Sequence, residues 1–365
     1  MKLIFLQNSA TQPRCHKRYR TFRLAGVDGI VYSFNRNWYN VNLPDDIQIN
    51  SLGELVPGSY LKRLLLYIYK LRPVFRKHRG DIFYCYGQDM AFVSALFGKK
   101  YIYEESDIMY LEYKSQYVRS MMKRLDLWLQ KKSIATVLTS QGFVDYLYRE
   151  KPKNVFVLPN KLDSSFLSLT RPKPEHFNDV NSLRFAFIGL LRYERTISAF
   201  VNEMVKYNPR YEFHIWGDGG DNQKKFVNKL CDSFSQVRYH GPFRNPIDLL
   251  EIYSQVDINF VCYDTNGLNE RIAEPNKLYE STYFNTPILV SPGTYLSKVV
   301  NQWNTGFVID CFSKESISNF FSNLTIKELN SKVSNCNMIK KESIIDNVSS
   351  IQVIIDFVNN STSNA

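Results

Sequence analysis

Residues 273–291 read AEPNKLYESTYFNTPILVS, an order of side chains suited to holding an anion. Pro275 fits a first helical turn, Asn276 and Lys277 supply donors and a charge, and the free N–H groups of a helix start accept phosphate. Glu280 follows one turn later, and PILVS (287–291) completes a helix-strand unit. Other strand ends carry related material. GLLRYERT follows a strand predicted at 184–188: Gly189 allows close backbone approach, and Arg192 and Arg195 lie on the turn and the first part of a helix. GDGG (217–220), with Gly217 and Gly219, follows a predicted strand at 211–216, and GPFRNP (241–246), with Pro242 and Phe243, follows a short one near 237–240. Taken singly, glycine and proline after a strand are turn chemistry and an arginine is a solvated charge. Together with Lys277 these cations suit a diphosphate.

The elements that must position these residues alternate. Strands are predicted at 2–6, 82–86, 100–104, 135–139, 154–158, 184–188, 211–216, 257–262 and 287–291, with helical stretches between most of them. Such alternation predicts an α/β protein with parallel sheets covered by helices on both faces, whose ligands bind beyond the C-terminal ends of the strands. A length of 365 residues suits two domains. The polar segment SLTRPKPEHFNDVNS (168–182) reads as the linker, and VNNSTSNA (358–365) as a frayed tail.

Composition narrows the class. Aromatic residues make up 15% and hydrophobic residues 44%, enough for globular cores. The six cysteines are scattered without CxxC spacing, which fits reduced thiols in a cytosol better than disulfides or a zinc site. No Asp-x-Asp occurs and the five histidines lack ligand spacing, so no metal site is expected. The four-residue apolar run after Lys2 is short for a signal peptide, and no apolar run approaches the roughly 18 residues of a membrane span.

The net charge of +11 lies entirely in the first half: residues 1–180 hold 28 Lys and Arg against 16 Asp and Glu. Two segments concentrate it, 60–79 with seven cations and no acid, and 113–132 with six against Asp126. In the first, Leu61, Leu64, Leu65, Ile68 and Leu71 recur at helical spacing until Pro73, which is expected to end the helix. Each is either an ordinary helix with its apolar face in the core or a basic amphipathic helix resting on an anionic membrane. Nucleic acid would also match the charge, but no recognition signature for it is present.

The second half resembles the donor-binding domain of GT-B glycosyltransferases, especially family 4 and its bacterial surface-polysaccharide branch (capsule, O-antigen, exopolysaccharide). The resemblance is carried by FAFIGLLRYER (185–195), HIWGDG (214–219), VRYHGPF (237–243), YSQVDINFVCYD (253–264) and PNKLYESTYFNTPILVS (275–291). KYIYEESDI (100–108), VLTSQGFVDYL (137–147) and NVFVLPNKLD (154–163) extend it into the first half. It implies two Rossmann-like doubly wound parallel-sheet domains facing a central cleft: an acceptor-binding domain at 1–175, a donor-binding domain at 183–345, and a C-terminal helix and tail at 346–365 crossing back to the first. It also implies a hexosyltransferase without cofactor, acting on a UDP- or GDP-type sugar donor and a lipid-linked or oligosaccharide acceptor. Such an enzyme would work in the cytoplasm, peripheral on the inner face of the plasma membrane, with retention of anomeric configuration.

By the same resemblance Glu280 would hold the donor ribose, and Lys277 and Arg195 would contact the diphosphate. Gly189 would let the backbone approach the phosphates or the acceptor, and the loops at 217–219 and 241–243 would border the base. The chain departs from the family in three places. Leu190 stands where an arginine usually follows the glycine, leaving Arg192 as the substitute; Ile272 stands eight residues before Glu280, where a second glutamate belongs; and Glu105-Ser106-Asp107 replaces a His-Asp pair. Glu105 and Asp107 then either act in catalysis or cap the following helix. A nicotinamide enzyme is disfavoured, since residues 1–20 contain no glycine. The alternatives are a non-hydrolysing sugar-nucleotide epimerase of the same fold and a non-enzymatic membrane- or polyanion-binding protein.

Overall fold

The computed structural model describes residues 1–35, 43, 45–55 and 59–363. The chain divides into two compact units, Met1–Ser164 with Asp346–Ala365, and Ser165–Ile345. Residues 165–175 thus group with the second unit, and the C-terminal segment with the first.

The first unit is built on β1 (Lys2–Gln7), β2 (Asp28–Asn35), β3 (Ile49–Glu54), β4 (Ile82–Tyr86), β5 (Tyr101–Glu105), β6 (Ala135–Leu138) and β7 (Val155–Val157). All pairings are parallel, in the order β3-β2-β1-β4-β5-β6-β7. Central strands covered on both faces must be apolar throughout. β1 obeys this, with Leu3, Ile4, Phe5 and Leu6 all buried. On one face α1 (Pro13–Leu24) and the C-terminal helix (Val348–Ser363) bury Phe22, Ile351, Ile354 and Val358. On the other lie α2 (Tyr60–Lys77), α3 (Gln88–Leu96) and α4 (Gln116–Lys132), which bury Tyr67, Leu71, Phe75, Met90 and Leu129. A short helix, α5 (Gln141–Leu147), joins β6 to β7.

The second unit carries β8 (Arg184–Ile188), β9 (Glu212–Trp216), β10 (Val237–Gly241), β11 (Ile258–Val261), β12 (Ile288–Val290) and β13 (Gly306–Val308), again all parallel, in the order β10-β9-β8-β11-β12-β13. The helices used below are α6 (Glu194–Tyr207), α7 (Asp221–Ser233), α8 (Leu249–Ser254), α9 (Leu268–Ile272) and α10 (Lys277–Tyr283). The chain winds outward from β8 and then returns to β11, so the strand order reverses between these two neighbours. Doubly wound sheets bind ligands at such a reversal, because the loops there splay to opposite sides.

Several expectations need correction. Three strands escape the sequence reading: β2, which opens Asp-Gly; β3, a polar edge strand containing Gly53; and β13, only three residues long. Pro73 does not end α2, which runs to Lys77. Pro73 is exposed, so the carbonyl it leaves unpaired faces water, while Val74 and Phe75 beyond it are buried and hold the helix on. The core face of α2 is accordingly rotated: Tyr67, Leu71, Val74 and Phe75 are buried, whereas Leu61 and Leu65 are exposed. Residues 358–363 are helical, because Val358 packs into the core and draws the helix with it. The linker 168–182 contains no helix or strand, yet it is fastened to the second unit. The Arg171 guanidinium donates to the carbonyls of Tyr283, Asn337 and Ile339, and Phe177 exchanges two hydrogen bonds with Asn330.

Candidate functional site

At the β8/β11 reversal the second unit has a cavity of about 380 Å³. Gly189, Arg192, Phe243, Asn276 and Lys277 line it, joined by Tyr193, Asn245 and Tyr263. Gly189 has φ of 147°, and a Cβ there would lie 3.6 Å from Lys277 Cε, so its backbone rests against the lysine stem. Lys277 opens α10 and is buried. Its Nζ donates to Glu280 Oε2 at 2.5 Å and lies 5.5 Å from the centre of the Phe243 ring.

Glu280 itself is only 1% exposed and lies behind the lining. Its Oε1 accepts from Asn245 Nδ2 at 3.1 Å and Asn276 Nδ2 at 2.9 Å, while its Oε2 accepts from Lys277 and, at 3.3 Å, from the Tyr253 hydroxyl on α8. Burial and the adjacent Glu280 carboxylate push the Tyr253 hydroxyl well above its ordinary pKa, so it stays a donor. A carboxylate saturated in this way fixes the three cavity residues Asn245, Asn276 and Lys277 at once.

Not every predicted residue joins this cavity. Gly217 and Gly219 serve the packing of strand-end loops: a Cβ on Gly217 would lie 1.8 Å from the Gly189 carbonyl oxygen, and one on Gly219 2.9 Å from Leu191 Cβ. Pro242 is exposed beside Phe243 and does not line the cavity. Arg195 also lies elsewhere. Its Nη1 meets Asp264 at 3.3 Å, its guanidinium sits over Phe312, and its side chain is 66% exposed. The cause is Tyr193, a left-handed residue (φ 62°) that ends the turn before α6 and stacks on Tyr263 at 4.4 Å between ring centres. This turn presents Arg192 to the cavity and sends Arg195 past it. Arg192→Ala is therefore expected to lower donor-dependent kcat/KM by about tenfold or more, as for loss of a charge-assisted contact, with Arg195→Ala near the wild type. Equal losses in both variants would contradict this placement. Sequence reasoning did not assign Tyr193, Asn245, Tyr253 or Tyr263 to the site, although all four stand in segments already singled out: Tyr193 in GLLRYERT, Asn245 in GPFRNP, and Tyr253 and Tyr263 in YSQVDINFVCYD.

The first-unit pair diverges. Asp107 is exposed and lies 4.0 Å from Arg14, whereas Glu105 is buried at the end of β5. Neither side chain caps a helix: the turn at Met109–Glu112 has no side-chain cap, and Ser115 caps α4. The Tyr103 hydroxyl contacts both the Glu105 carboxyl and Asp126 Oδ1, the latter at 2.9 Å, and the Tyr110 hydroxyl donates to Asp126 Oδ2 at 3.1 Å. One phenolic proton cannot serve both carboxyl groups, so bonding both requires a proton on one of them. Burial first, then the neighbouring Asp126, raises Glu105 well above its ordinary pKa, and burial raises Asp126. With the folded pKa above the unfolded one, the stability linked to Glu105 is present at acid pH and lost as pH rises through the raised value. Glu105→Gln keeps the neutral form, so its Tm relative to wild type is expected to climb as pH increases. Parallel Tm curves across pH would refute the assignment.

Among the described residues, no group of three or more His, Cys, Asp or Glu side chains is arranged to hold a metal ion. No helix among them is long and apolar enough to cross a membrane.

No family model matches the chain. It is 20% identical over 357 residues to the succinoglycan biosynthesis protein ExoL of Rhizobium meliloti (strain 1021), an alignment covering 92% of this chain and 89% of the relative. Its fold is similar to that of sucrose-phosphate synthase from Thermosynechococcus elongatus, with a TM-score of 0.74, 11% identity and 100% of each chain covered. It is also similar to Anabaena Alr3699/HepE, solved in complex with UDP and glucose, with a TM-score of 0.71, 15% identity, and 98% of this chain and 99% of that one covered. With two all-parallel α/β units and these structural neighbours, the chain has the GT-B fold of glycosyltransferases.

Proposed function

We propose that the protein is a glycosyltransferase that moves a hexose from a nucleoside-diphosphate sugar to a saccharide acceptor in surface-polysaccharide synthesis. The observation that carries this reading is the cavity at the strand reversal, where Arg192 and Lys277 converge beside the Gly189 backbone. Its volume lies within the range of small-molecule sites. The likeness to a succinoglycan biosynthesis protein and to a fold solved with UDP and glucose supports it. In this reading the second unit binds a UDP- or GDP-type donor and the first unit the acceptor. Breaking the glycosidic bond leaves charge on the diphosphate, which Lys277, already held by Glu280, and the neighbouring Arg192 stabilise. Phe243 borders the base, and Asn276 donates to a phosphate or ribose oxygen. We further place the protein in the family 4 branch, with retention of configuration, no need for a metal ion or cofactor, and a lipid-linked acceptor. The cationic surplus of the first half supports an acceptor held at an anionic membrane on the cytoplasmic side.

The test offers UDP- and GDP-sugars with and without lipid-linked saccharide, in buffer and in EDTA, and follows nucleoside diphosphate release together with the anomeric configuration of the product. Release that requires acceptor and survives EDTA is the expected result. Conversion of the sugar nucleotide into its epimer without acceptor and without net release of nucleoside diphosphate would favour the epimerase reading, and a protein whose Tm responds to no nucleotide would refute donor binding altogether.

A further inference from the structure

In the first unit α3 packs against α2 on one side and α4 on the other, and all three bury their inner faces in one core. They form a single layer on the sheet, so the outward faces of α2 and α4 look to the same side. On α2 the outward positions 61, 65, 69, 72 and 76 follow the spacing of one helix face and read Leu, Leu, Tyr, Arg, Arg. On α4 positions 117, 121, 124, 128 and 132 read Tyr, Met, Arg, Trp, Lys. The apolar members are strongly exposed: Leu61 64%, Leu65 58%, Tyr69 73%, Tyr117 81%, Met121 50% and Trp128 44%.

Neither outward face carries an acid. α2 contains none, and the single acid of α4, Asp126, is buried. Ordinary solvent-facing helices mix charges of both signs and keep large apolar side chains inside. These two do the reverse, although each already buries a full inner face, so their outer apolar residues are surplus to the fold. Lys123 is a different case: its Nζ donates to the Tyr146 carbonyl and lies 4.0 Å from the Tyr146 ring centre, so it is spent inside the unit.

We propose that the outward faces of α2 and α4 together form a surface by which the first unit docks on an anionic lipid bilayer. Leu61, Leu65 and Met121 enter the acyl boundary, Tyr69, Tyr117 and Trp128 sit at headgroup level, and Arg72, Arg76, Arg124 and Lys132 meet lipid phosphates. Charge complementarity selects this occupant, since faces that carry only cations and apolar groups match an anionic bilayer in both respects, and the acid of α3 between them, Asp89, is bonded by the Tyr60 hydroxyl at 2.6 Å. The proposal deepens the reading of a membrane-held acceptor and rests on it only for its biological purpose.

The experiment measures binding of the full chain to vesicles of phosphatidylcholine, with and without phosphatidylglycerol, by co-sedimentation and by Trp emission. Three variants accompany the wild type: Leu61→Ser with Leu65→Ser and Tyr69→Ser, Tyr117→Ser with Met121→Ser, and Arg72→Glu with Arg76→Glu. Wild type is expected to bind only the phosphatidylglycerol vesicles, more weakly in high salt, with a blue shift of emission that Trp128→Phe removes. Each variant should keep the wild-type Tm, the replaced side chains being exposed, and lose about tenfold or more in vesicle affinity. No binding by wild type, equal binding to phosphatidylcholine alone, or unchanged binding in all three variants would overturn the proposal. So would a dimer that the same substitutions dissolve, seen without vesicle binding. Nucleotide-induced Tm shifts on the same samples keep the two readings apart. A wild type that binds vesicles but no nucleotide would sink the transferase reading alone, and one that binds nucleotide but no vesicles would sink the docking surface alone.

Discussion

Replacing Lys277 with alanine is expected to lower turnover by about 10²- to 10³-fold, the usual loss when one preorganised donor to a developing charge is removed. The same change should also destabilise the second unit. Among the described residues Lys277 Nζ is the one cation hydrogen-bonded to the buried Glu280 carboxylate, whose other partners, Asn245, Asn276 and Tyr253, are neutral. Stranding a buried carboxylate in this way costs on the order of 3–5 kcal/mol. The two effects can be separated. Lys277→Ala combined with Glu280→Gln removes both charges, so stability should recover in large part while turnover stays low. Single-turnover kinetics with donor in excess, set beside urea unfolding of the same samples, provides the check. Recovery of turnover in the double variant would mean that Lys277 acts only by neutralising Glu280, and it would lose its role toward the donor.

The second large effect is expected from Arg18→Met in the first unit. Arg18 is fully buried on α1. Its Nε lies 3.2 Å from Glu104 Oε2, its Nη1 lies 3.5 Å from Asp346 Oδ2, and its Nη2 donates to the Leu158 carbonyl at 3.1 Å. Glu104 and Asp346 hold the guanidinium charged against the opposing effect of burial. Methionine fills much of the space but leaves two buried carboxylates, with Arg14, 3.7 Å from Glu104, and the buried Lys17, which interacts with Asp346, as cations still in reach. The expected loss is about 3–5 kcal/mol in denaturant unfolding. Asp346 begins the segment that returns to this unit, and its N–H donates to the Leu162 carbonyl at 2.8 Å. Limited proteolysis should therefore release the C-terminal helix of Arg18→Met sooner than that of the wild type. An unfolding free energy within about 1 kcal/mol of wild type would show that the carboxylates simply take up protons, and the triad would lose its structural weight.

The alternation of short apolar runs with amphipathic stretches was enough to read parallel sheets in two bodies, because a strand covered on both faces must be apolar along its whole length. The ends of β8 and β10 at the cavity are marked by glycine or proline within a few residues, since a chain leaving a crowded sheet needs room for its backbone. Thus Gly189, Phe243, Asn276 and Lys277 are legible as a group in the sequence. Strands β3 and β13 are not, because polar or very short strands draw their stability from neighbours distant in sequence; β2, eight residues long with Val31, Tyr32 and Phe34 buried, was missed despite a legible apolar run. The direction of a side chain is likewise decided by contacts that no local window contains. Tyr193, left-handed against Tyr263, sets Arg192 rather than Arg195 at the cavity, and Asn245 and Tyr253 hold Glu280 behind its wall. The buried triad of Arg18, Glu104 and Asp346 joins residues 328 positions apart. The outward face of α2 followed the same rule. Its sequence announced a basic amphipathic helix, but which leucines are left to water was settled by Val74 and Phe75, seated beyond a proline that was expected to stop the helix. Local sequence determined which residue types stand near each strand end and on each helix, and tertiary packing decided which of them meet, because burial is a property of pairs of surfaces rather than of segments.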